Sequence, residues 1–293
     1  MAGAAVTGGR GRRLGWAPYL LLAPSLVFLA VFFATPMFQA FGLAFQAPGG
    51  GYGLDAVHRM LGDVRFGRAM VTTLILVLAI IPVQFVLAMG MALVVQARLA
   101  GTDLWLYIFA LPLGISELAA GIVWFSIFTE QGWLNSFLER AGLIERPYVF
   151  LSYQRPVLLI LAIVLAEAWR ATAIIMIILI AGLQGIPRDY AEAADVFGAD
   201  PWRRLRYVTL PLLKPTIRVA LILRTILAFQ AFATVLALAG SATNVLAGEA
   251  YRWYQSLRDP RVAAAYASLI LLLSVASTVF FLALIRTDEE RLA

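Results

Sequence analysis

The stretch Tyr190-Ala-Glu-Ala-Ala-Asp-Val-Phe-Gly-Ala-Asp-Pro-Trp-Arg-Arg-Leu-Arg-Tyr-Val-Thr-Leu-Pro211 is a polar segment between two long apolar runs. Apolar residues recur at helical spacing from Tyr190 to Phe197, which predicts a short amphipathic helix. Gly198 stands where a left-handed C-cap would end that helix. Asp200-Pro201 then has the residue types of an N-cap and a first helical turn. The stretch therefore predicts two short helices joined by a tight turn.

The composition indicates that this polar segment belongs to a membrane protein. Of the 293 residues, 62% are hydrophobic and 14% are charged, whereas soluble domains average about 45–50% apolar and about 25% charged residues. Such a chain has too little polar surface to cover a globule of its size in water. The formal net charge of +6 comes from cations dispersed among the loops, which fits membrane topology better than nucleic-acid binding.

The residue inventory also excludes several kinds of chemistry. The chain has no cysteine, so disulfides, thiol reactions and thiolate metal sites are excluded. The single histidine, His58, cannot form a histidine metal cluster. No phosphate loop of the G-x-x-x-x-G-K-[ST] type occurs. We therefore expect that the chain is not an enzyme and has no metal or cofactor of its own.

Six apolar runs are long enough to cross a bilayer, for which a helix needs about 20 residues. They predict an all-α integral membrane protein whose termini lie on the same side. The first run exceeds the apolar stretch of a signal peptide, about 7–15 residues, so we expect an uncleaved helix kinked at Pro24 and Pro36. The predicted spans are residues 16–46, 69–97, 104–128, 157–184, 215–239 and 262–286.

The spacing within the polar segment resembles the EAA loop of binding-protein-dependent ABC importer permeases. Glu192-Ala193-Ala194 is followed after three residues by Gly198, after nine more by Val208, and after one more by Leu210-Pro211. In that family the loop is the cytoplasmic surface that docks on the ATPase. The resemblance therefore implies that this chain contacts an ATPase through Glu192, Ala193, Ala194, Phe197, Gly198, Leu210 and Pro211.

Each of these residues has an expected role in the contact. Glu192 would accept hydrogen bonds from an arginine of the ATPase, and the two alanines after it would permit close approach. Phe197 would fill a groove, and Gly198 would make the turn. The alternative is an amphipathic hairpin that lies on the lipid surface and is held there by its arginines.

Other stretches are similar to the sugar branch of the same family, the maltose or glycerol-phosphate type. The similar stretches are 18–24 with 31–36, 167–170, 181–187 and 224–232. The chain departs from that branch at two places near the end of the fifth span. Ala233 replaces a carboxylate that is common after the span-five phenylalanine, and Leu238–Asn244 replaces a Gly-rich stretch that usually follows the span. The resemblance implies a type I ABC importer permease with six transmembrane helices and a cytoplasmic two-helix coupling loop.

The spans and the resemblance together divide the chain into regions of a multi-pass protein of the bacterial plasma (inner) membrane. Inside segments would carry eleven cations and outside segments nine, a weak positive-inside signal for cytoplasmic termini. The predicted regions are a cytoplasmic N-terminal tail (1–15), a first transmembrane helix (16–46), an extracytoplasmic loop (47–68), a permease core of five transmembrane helices (69–286) that includes the coupling loop (187–213), and a cytoplasmic C-terminal tail (287–293).

Ionisable residues inside the predicted spans are candidates for a functional site, since a charge in the membrane is costly. Glu167 and Arg170 are three residues apart on one helical face and can pair, either as a structural lock or along a polar path for a hydroxyl-rich solute. Gln84 can likewise bond across helices or to sugar hydroxyls. The candidate path residues are Glu117, Glu167, Trp169, Arg170, Arg224, Phe229, Gln230 and Phe232.

The resemblance also implies partners. They are a second homologous permease, two ABC ATPase subunits that hold ATP and Mg, an extracytoplasmic solute-binding protein and membrane lipid, with no nucleic acid. The expected solute is a sugar or oligosaccharide. Three alternatives stay open: an ion-coupled secondary transporter that uses Glu117, Glu167 and Arg170 as a relay, a non-transporting scaffold that anchors an ATPase, and an importer of a non-sugar solute.

Overall fold

The protein is a bundle of helices, and its computed structural model describes residues 16–97, 101–240 and 243–285. The predicted tails, 1–15 and 287–293, lie outside the described residues. The helices are α1 (Ala17–Leu29), α2 (Thr35–Ala44), α3 (Asp55–Leu61), α4 (Phe66–Gln96), α5 (Thr102–Ala110), α6 (Glu117–Phe128), α7 (Trp133–Arg140), α8 (Pro156–Gln184), α9 (Arg188–Val196), α10 (Pro201–Arg204), α11 (Leu210–Leu212), α12 (Lys214–Phe229), α13 (Ala233–Ala239), α14 (Leu246–Gln255) and α15 (Pro260–Leu284).

Four stretches of helix within the described residues are long and apolar enough to cross a membrane alone: Tyr19–Ala44, Phe66–Gln96, Pro156–Gln184 and Pro260–Leu284. Two bent pairs pass the same test when each is counted as one span, which brings the number to six. They are Thr102–Gly114 with Glu117–Arg140, bent by 101°, and Lys214–Phe229 with Ala233–Ala239, bent by 50°.

The sequence predicts a span over residues 104–128, and the structure builds this region from two helices in different directions. Pro112 lies in a 3-10 segment, Leu111–Gly114, and the backbone is extended at Ile115. Ser116 then caps α6, because its hydroxyl accepts a hydrogen bond from the Ala119 N–H at 3.2 Å. A proline that removes a helical hydrogen bond, followed by a strong N-cap, explains the bend.

Helix α8 occupies the centre of the bundle, because it is apolar along most of its length and can be buried over most of its surface. It packs along α4, and it also contacts α6, α12 and α13. One apolar core joins α4, α8 and α12 near the polar hairpin, and another joins α4, α6, α8 and α13. A third core joins α2, α3, α4, α14 and α15.

The first span lies largely outside this bundle. Its helix departs from α-helical geometry in a π-helical segment, Ala30–Ala34, between the two prolines at which kinks are expected. Thr35 begins α2 there, and its hydroxyl donates a hydrogen bond to the Ala30 carbonyl at 2.9 Å. The main contact of this span within the described residues is between α2 and α15.

Gly121 allows α6 and α13 to approach closely. A Cβ atom at this position would lie 2.6 Å from the Cβ of Ala237 and 3.1 Å from the Cα of Thr234. Gly121→Ala is therefore expected to destabilise the protein by about 1–3 kcal/mol through overpacking, measured by thermal unfolding of the purified protein. Ala237→Gly in the same chain should restore part of the loss.

The matched control for Gly121→Ala is Gly90→Ala in α4, where a Cβ atom would meet nothing within 4 Å. This change should leave stability unaltered or raise it by up to about 1 kcal/mol, since alanine is the better helix former. Equal destabilisation by both alanine variants would contradict the close approach of α6 and α13.

Candidate functional site

The polar segment forms the predicted hairpin, with α9 as its first arm. Gly198 has φ +72°, the left-handed conformation that glycine adopts most easily. The Ala199 N–H donates to the Ala194 carbonyl at 3.0 Å, and the Gly198 N–H donates to the Asp195 carbonyl at 3.0 Å. These two bonds make a Schellman motif, so the predicted glycine cap is confirmed.

The second arm of the hairpin is fixed to the first by side chains. Asp200 caps α10 by accepting a hydrogen bond from the Arg203 N–H at 2.9 Å, as predicted. Arg204 donates from Nη1 to both carboxylate oxygens of Asp195, at 2.9 and 3.1 Å. The arm continues through a π-helical segment, Leu205–Thr209, and α11 to the start of α12. The two arms of the hairpin are therefore bonded to each other, and the second arm runs directly into a bundle helix.

The tip of the hairpin exposes large apolar side chains. Phe197 is 90% exposed and Val196 is 85% exposed, which is unusual for side chains of this size unless a partner or lipid covers them. Glu192 and Ala193 are exposed beside them, whereas Ala194 is buried within the hairpin. Of the remaining predicted contact residues, Pro211 is exposed and Leu210 packs partly against the core.

A cavity of about 630 Å³ lies between the hairpin and the bundle. Its walls come from the C-terminal ends of α4 and α8 and from both hairpin arms, with Tyr190 and Trp202 among the lining residues. The local sequence carries no signal for this space, because it arises from how the hairpin sits against two distant helices.

A second group of predicted residues forms a buried polar cluster, which we define as Gln84, Glu117, Glu167, Arg170, Arg224 and Thr234. At its centre, Glu167 and Arg224 have exposed fractions of 0% and 1%. Arg224 Nη2 lies 2.8 Å from Glu167 Oε2, and Arg170 Nη2 lies 3.1 Å from the same oxygen. The Glu167 carboxylate of α8 therefore pairs both with an arginine of the same helix and with an arginine of α12.

The uncharged members of the polar cluster add further hydrogen bonds. Arg224 Nε donates to Gln84 Oε1 at 2.6 Å, and Gln84 Nε2 donates to the Glu167 carbonyl at 2.7 Å. The Thr234 hydroxyl donates to Glu167 Oε1 at 2.7 Å. The cross-helix role open to Gln84 is thus confirmed, whereas Thr234 was not predicted, since a threonine in an apolar helix has no distinguishing sequence signal.

Glu117 joins the polar cluster to the break between α12 and α13. Its Oε1 accepts hydrogen bonds from the backbone N–H groups of Phe232, at 2.8 Å, and Thr234, at 3.2 Å. These are the donors that the start of α13 leaves free, and a carboxylate is favoured at a helix N-terminus. The bend in the predicted span 215–239 is therefore held by a side chain of α6.

The formal charges of the polar cluster balance, because it contains two carboxylates, Glu117 and Glu167, and two guanidinium groups, Arg170 and Arg224. A buried ion pair carries a desolvation penalty that only good geometry and further hydrogen bonds offset. Removing one partner from such a pair is strongly destabilising, because it leaves an uncompensated buried charge. The cluster therefore ties together α4, α6, α8, α12 and α13.

The side chains of the other predicted path residues are not members of the polar cluster. Trp169 is partly exposed, with its ring centroid 6.2 Å from that of Trp124. Phe229 is buried in an apolar core, and Gln230 is exposed at the break after α12. Phe232 lines a second, smaller cavity. Within the described residues, no group of three or more His, Cys, Asp or Glu side chains could hold a metal ion.

The chain is similar in sequence to a known family of membrane transport proteins. Residues 60–287 match the model described as binding-protein-dependent transport system inner membrane component. The trehalose transport system permease protein SugA of Mycobacterium tuberculosis is 33% identical over 234 residues, which cover 77% of this chain and 74% of that protein. The trehalose/maltose transport system permease protein MalF of Thermococcus litoralis is 30% identical over 275 residues, 90% of this chain and 92% of that protein.

A solved structure has the same fold. It is the crystal structure of a bacterial ABC transporter involved in the import of the acidic polysaccharide alginate, and it matches with a TM-score of 0.78 and 22% identity over 93% of this chain and 96% of that chain. The all-α membrane fold predicted from the sequence is confirmed by this likeness. The chain therefore belongs to the family of binding-protein-dependent transport system inner membrane components, the permease subunits of ABC importers.

Proposed function

We propose that this permease forms the translocation path for a sugar or oligosaccharide and couples that path to a separate ATPase. The observation that carries the choice of solute is the likeness to permeases named for trehalose and for trehalose/maltose, both at 30% identity or more. A relative at 28% identity is named for sn-glycerol-3-phosphate, so a non-sugar solute is the second candidate.

The hairpin of residues 187–213 is the proposed contact with the ATPase, and it lies on the cytoplasmic side together with both termini. Its exposed tip has Glu192, Ala193 and Phe197 on the surface, so a partner can contact an apolar protrusion, which we call the knob, next to a carboxylate. The Schellman turn at Gly198 and the Asp195–Arg204 ion pair keep this knob stiff. Leu210 and Pro211 join the knob to α12. Such a contact can transmit the closure of an ATPase dimer as a rigid-body movement of helices.

The proposed path runs beside the break between α12 and α13. Discontinuous helices form solute sites in many transporters, because their free backbone groups line a cavity there. We assign Gln230 and Phe232 to contact with the solute, since both lie at the break and remain partly accessible. Glu117 holds the break in position. The helices that flank the path are held by the buried residues Glu167, Arg224 and Phe229 and by the half-buried Arg170, and Trp169 faces outward beside them.

The proposed assembly contains a second homologous permease, two ATPase subunits and an extracytoplasmic solute-binding protein, all in the bacterial inner membrane or on its surfaces. The alginate importer supports the last partner, since one of its structures is described as a complex with an alginate pentasaccharide-bound periplasmic protein. ATP and Mg would bind the ATPase subunits.

The test is transport by the purified assembly. The chain would be isolated with its native partners, placed in liposomes and assayed for ATP-dependent uptake of labelled trehalose and maltose. ATP-dependent uptake of either sugar supports the proposal. Uptake by this chain alone, driven by a proton gradient without ATP, would instead support the secondary-transporter alternative, and a complete assembly that moves no solute would support the scaffold alternative.

Glu192→Ala is expected to weaken ATPase binding by roughly tenfold or more, because a hydrogen bond to a charged group contributes about 1.5–3 kcal/mol. The measurement is the amount of ATPase retained on the immobilised permease as salt is raised. Asp189→Ala is the control, since Asp189 is another exposed carboxylate of α9 outside the EAA pattern. Full ATPase retention by Glu192→Ala at raised salt would refute the assigned role.

A further inference from the structure

A second cavity, of about 260 Å³, opens at the opposite end of the bundle from the hairpin. Arg65, which lies just before α4, lines this cavity, whereas Gln96 at the other end of α4 lines the hairpin cavity. The remaining walls come from the end of α13, the residues before α14, and α14 itself. In the proposed orientation this cavity faces the exterior.

The floor and one wall of the cavity are aromatic. The Phe232 ring lies over Gly248, where an added Cβ atom would be 3.3 Å from the Phe232 Cδ2. Tyr251 stands beside it, with the two ring centroids 5.1 Å apart and the planes tilted by 37°. Tyr251 is 49% exposed, so an open aromatic surface remains for a ligand.

Polar groups surround the aromatic floor. Thr243, Asn244 and Ser256 contribute hydroxyl and amide groups, and Arg65 is exposed at the rim. An apolar surface with a few convergent polar groups is the usual composition of a small-molecule site. The volume lies below the range of about 300–1,000 Å³ that holds drug-sized ligands, so the cavity suits a single ring rather than a whole oligosaccharide.

The charged residues Glu249 and Arg252 also line the cavity, and both are paired within the protein. Arg252 pairs with Asp63 and, at 2.5 Å, with Glu249. Burial alone would raise the pKa of Asp63, but hydrogen bonds from the Arg65 backbone and Trp253 and the charge of Arg252 outweigh burial and lower that pKa. Both carboxylates, Asp63 and Glu249, are therefore already paired with Arg252, and neither is available to bind a cationic ligand.

The floor of the cavity is also part of the break between α12 and α13. The Phe232 N–H donates to Glu117 Oε1 at 2.8 Å, which links the cavity to the polar cluster. A ligand seated on the Phe232 ring would therefore rest on the bend of the broken span.

We infer that this cavity is a subsite for one neutral glycosyl ring at the outer mouth of the path, with Tyr251 and Phe232 as its stacking surface. The inference rests on the proposed function and extends it, because it names where the solute is first held by the permease. Arg65 and Asn244 donate hydrogen bonds to the ring hydroxyls there.

The test compares two tyrosines of α14. Tyr251→Ala removes the wall of the cavity, whereas Tyr254→Ala removes a somewhat more exposed ring, 59% exposed, that does not line it. Uptake of labelled trehalose and maltose would be measured with the complete assembly in liposomes. Tyr251→Ala is expected to raise the KM by about tenfold, in line with an aromatic stacking contact, and Tyr251→Phe and Tyr254→Ala should stay within about twofold of the unaltered chain on the same scale.

Each other outcome has a distinct meaning. An unchanged KM in Tyr251→Ala, or an equal rise in Tyr251→Phe, overturns the glycosyl subsite while the proposed function stands. A rise only in the concentration of solute-binding protein needed for half-maximal ATP hydrolysis also overturns it, because the cavity would then receive a protein side chain. An unaltered assembly that imports neither sugar overturns the proposed function, and the subsite with it.

Discussion

Gly198→Val is expected to lower uptake by the assembled importer on the order of tenfold to hundredfold while ATP hydrolysis continues. Valine strongly resists a φ of +72°, and holding a residue in such a conformation costs about 1–3 kcal/mol. The Schellman motif would open to relieve that strain, and Phe197 would leave its place at the tip. Uptake and ATP hydrolysis measured on the same liposomes would show the loss of coupling.

The chain contains a matched control for this prediction. Gly142 ends α7 with φ +69°, in an identical motif in which the Leu143 N–H donates to the Leu138 carbonyl at 2.9 Å. A Cβ atom meets nothing within 4 Å at either glycine, so Gly142→Val imposes the same backbone strain far from the hairpin. Normal uptake by Gly198→Val would contradict the role of the turn, and equal losses in both variants would point to general instability.

Glu167→Ala is expected to be among the most damaging single changes in the bundle, at about 3–5 kcal/mol of lost stability. The change leaves two guanidinium groups, the buried Arg224 and the half-buried Arg170, without their shared carboxylate. Arg224→Met should cost less, because Glu167 then keeps Arg170 and the Thr234 hydroxyl as partners. Thermal unfolding of the purified permease would give the order of the two variants.

An exposed ion pair supplies the comparison for the polar cluster. Arg59 and Asp259 approach to 2.5 Å, but the Arg59 side chain is 52% exposed, and such surface pairs contribute only about 0–1 kcal/mol. Arg59→Ala should therefore alter the unfolding temperature little. If Arg224→Met proved as harmful as Glu167→Ala, the carboxylate would not be the centre of the cluster.

The hairpin could be predicted from the sequence because its determinants are local. Gly198, Asp200 and Pro201 each specify a backbone conformation within one turn of chain, and the structure places each as expected. The two helices and the turn between them need no information from the remainder of the bundle. The exposure of Phe197 and the burial of Ala194, by contrast, depend on how the two arms pack together.

The polar cluster could be predicted only in part. The pairing of Glu167 with Arg170 follows from their spacing on one helix, and the structure shows it. Arg224 also pairs with Glu167 but lies 57 residues away from it in sequence. The spacing of residues along the chain therefore carries no information about that contact. The break at Gln230 could not be predicted from the sequence, since no proline or glycine marks it. It is held by hydrogen bonds to a carboxylate of α6, which is distant in sequence.

The contact between α2 and α15 bears on the order in which the chain can be assembled during synthesis. The first span emerges from the ribosome some two hundred residues before its main partner in the bundle, the last span. Until α15 has been translated and inserted, α2 lacks its main partner, and only its end near Ala44 can pack against α3 and α4. A chain truncated before Pro260 would thus lose the main contact that holds its first span to the bundle, although residues 84–234 would retain every member of the polar cluster.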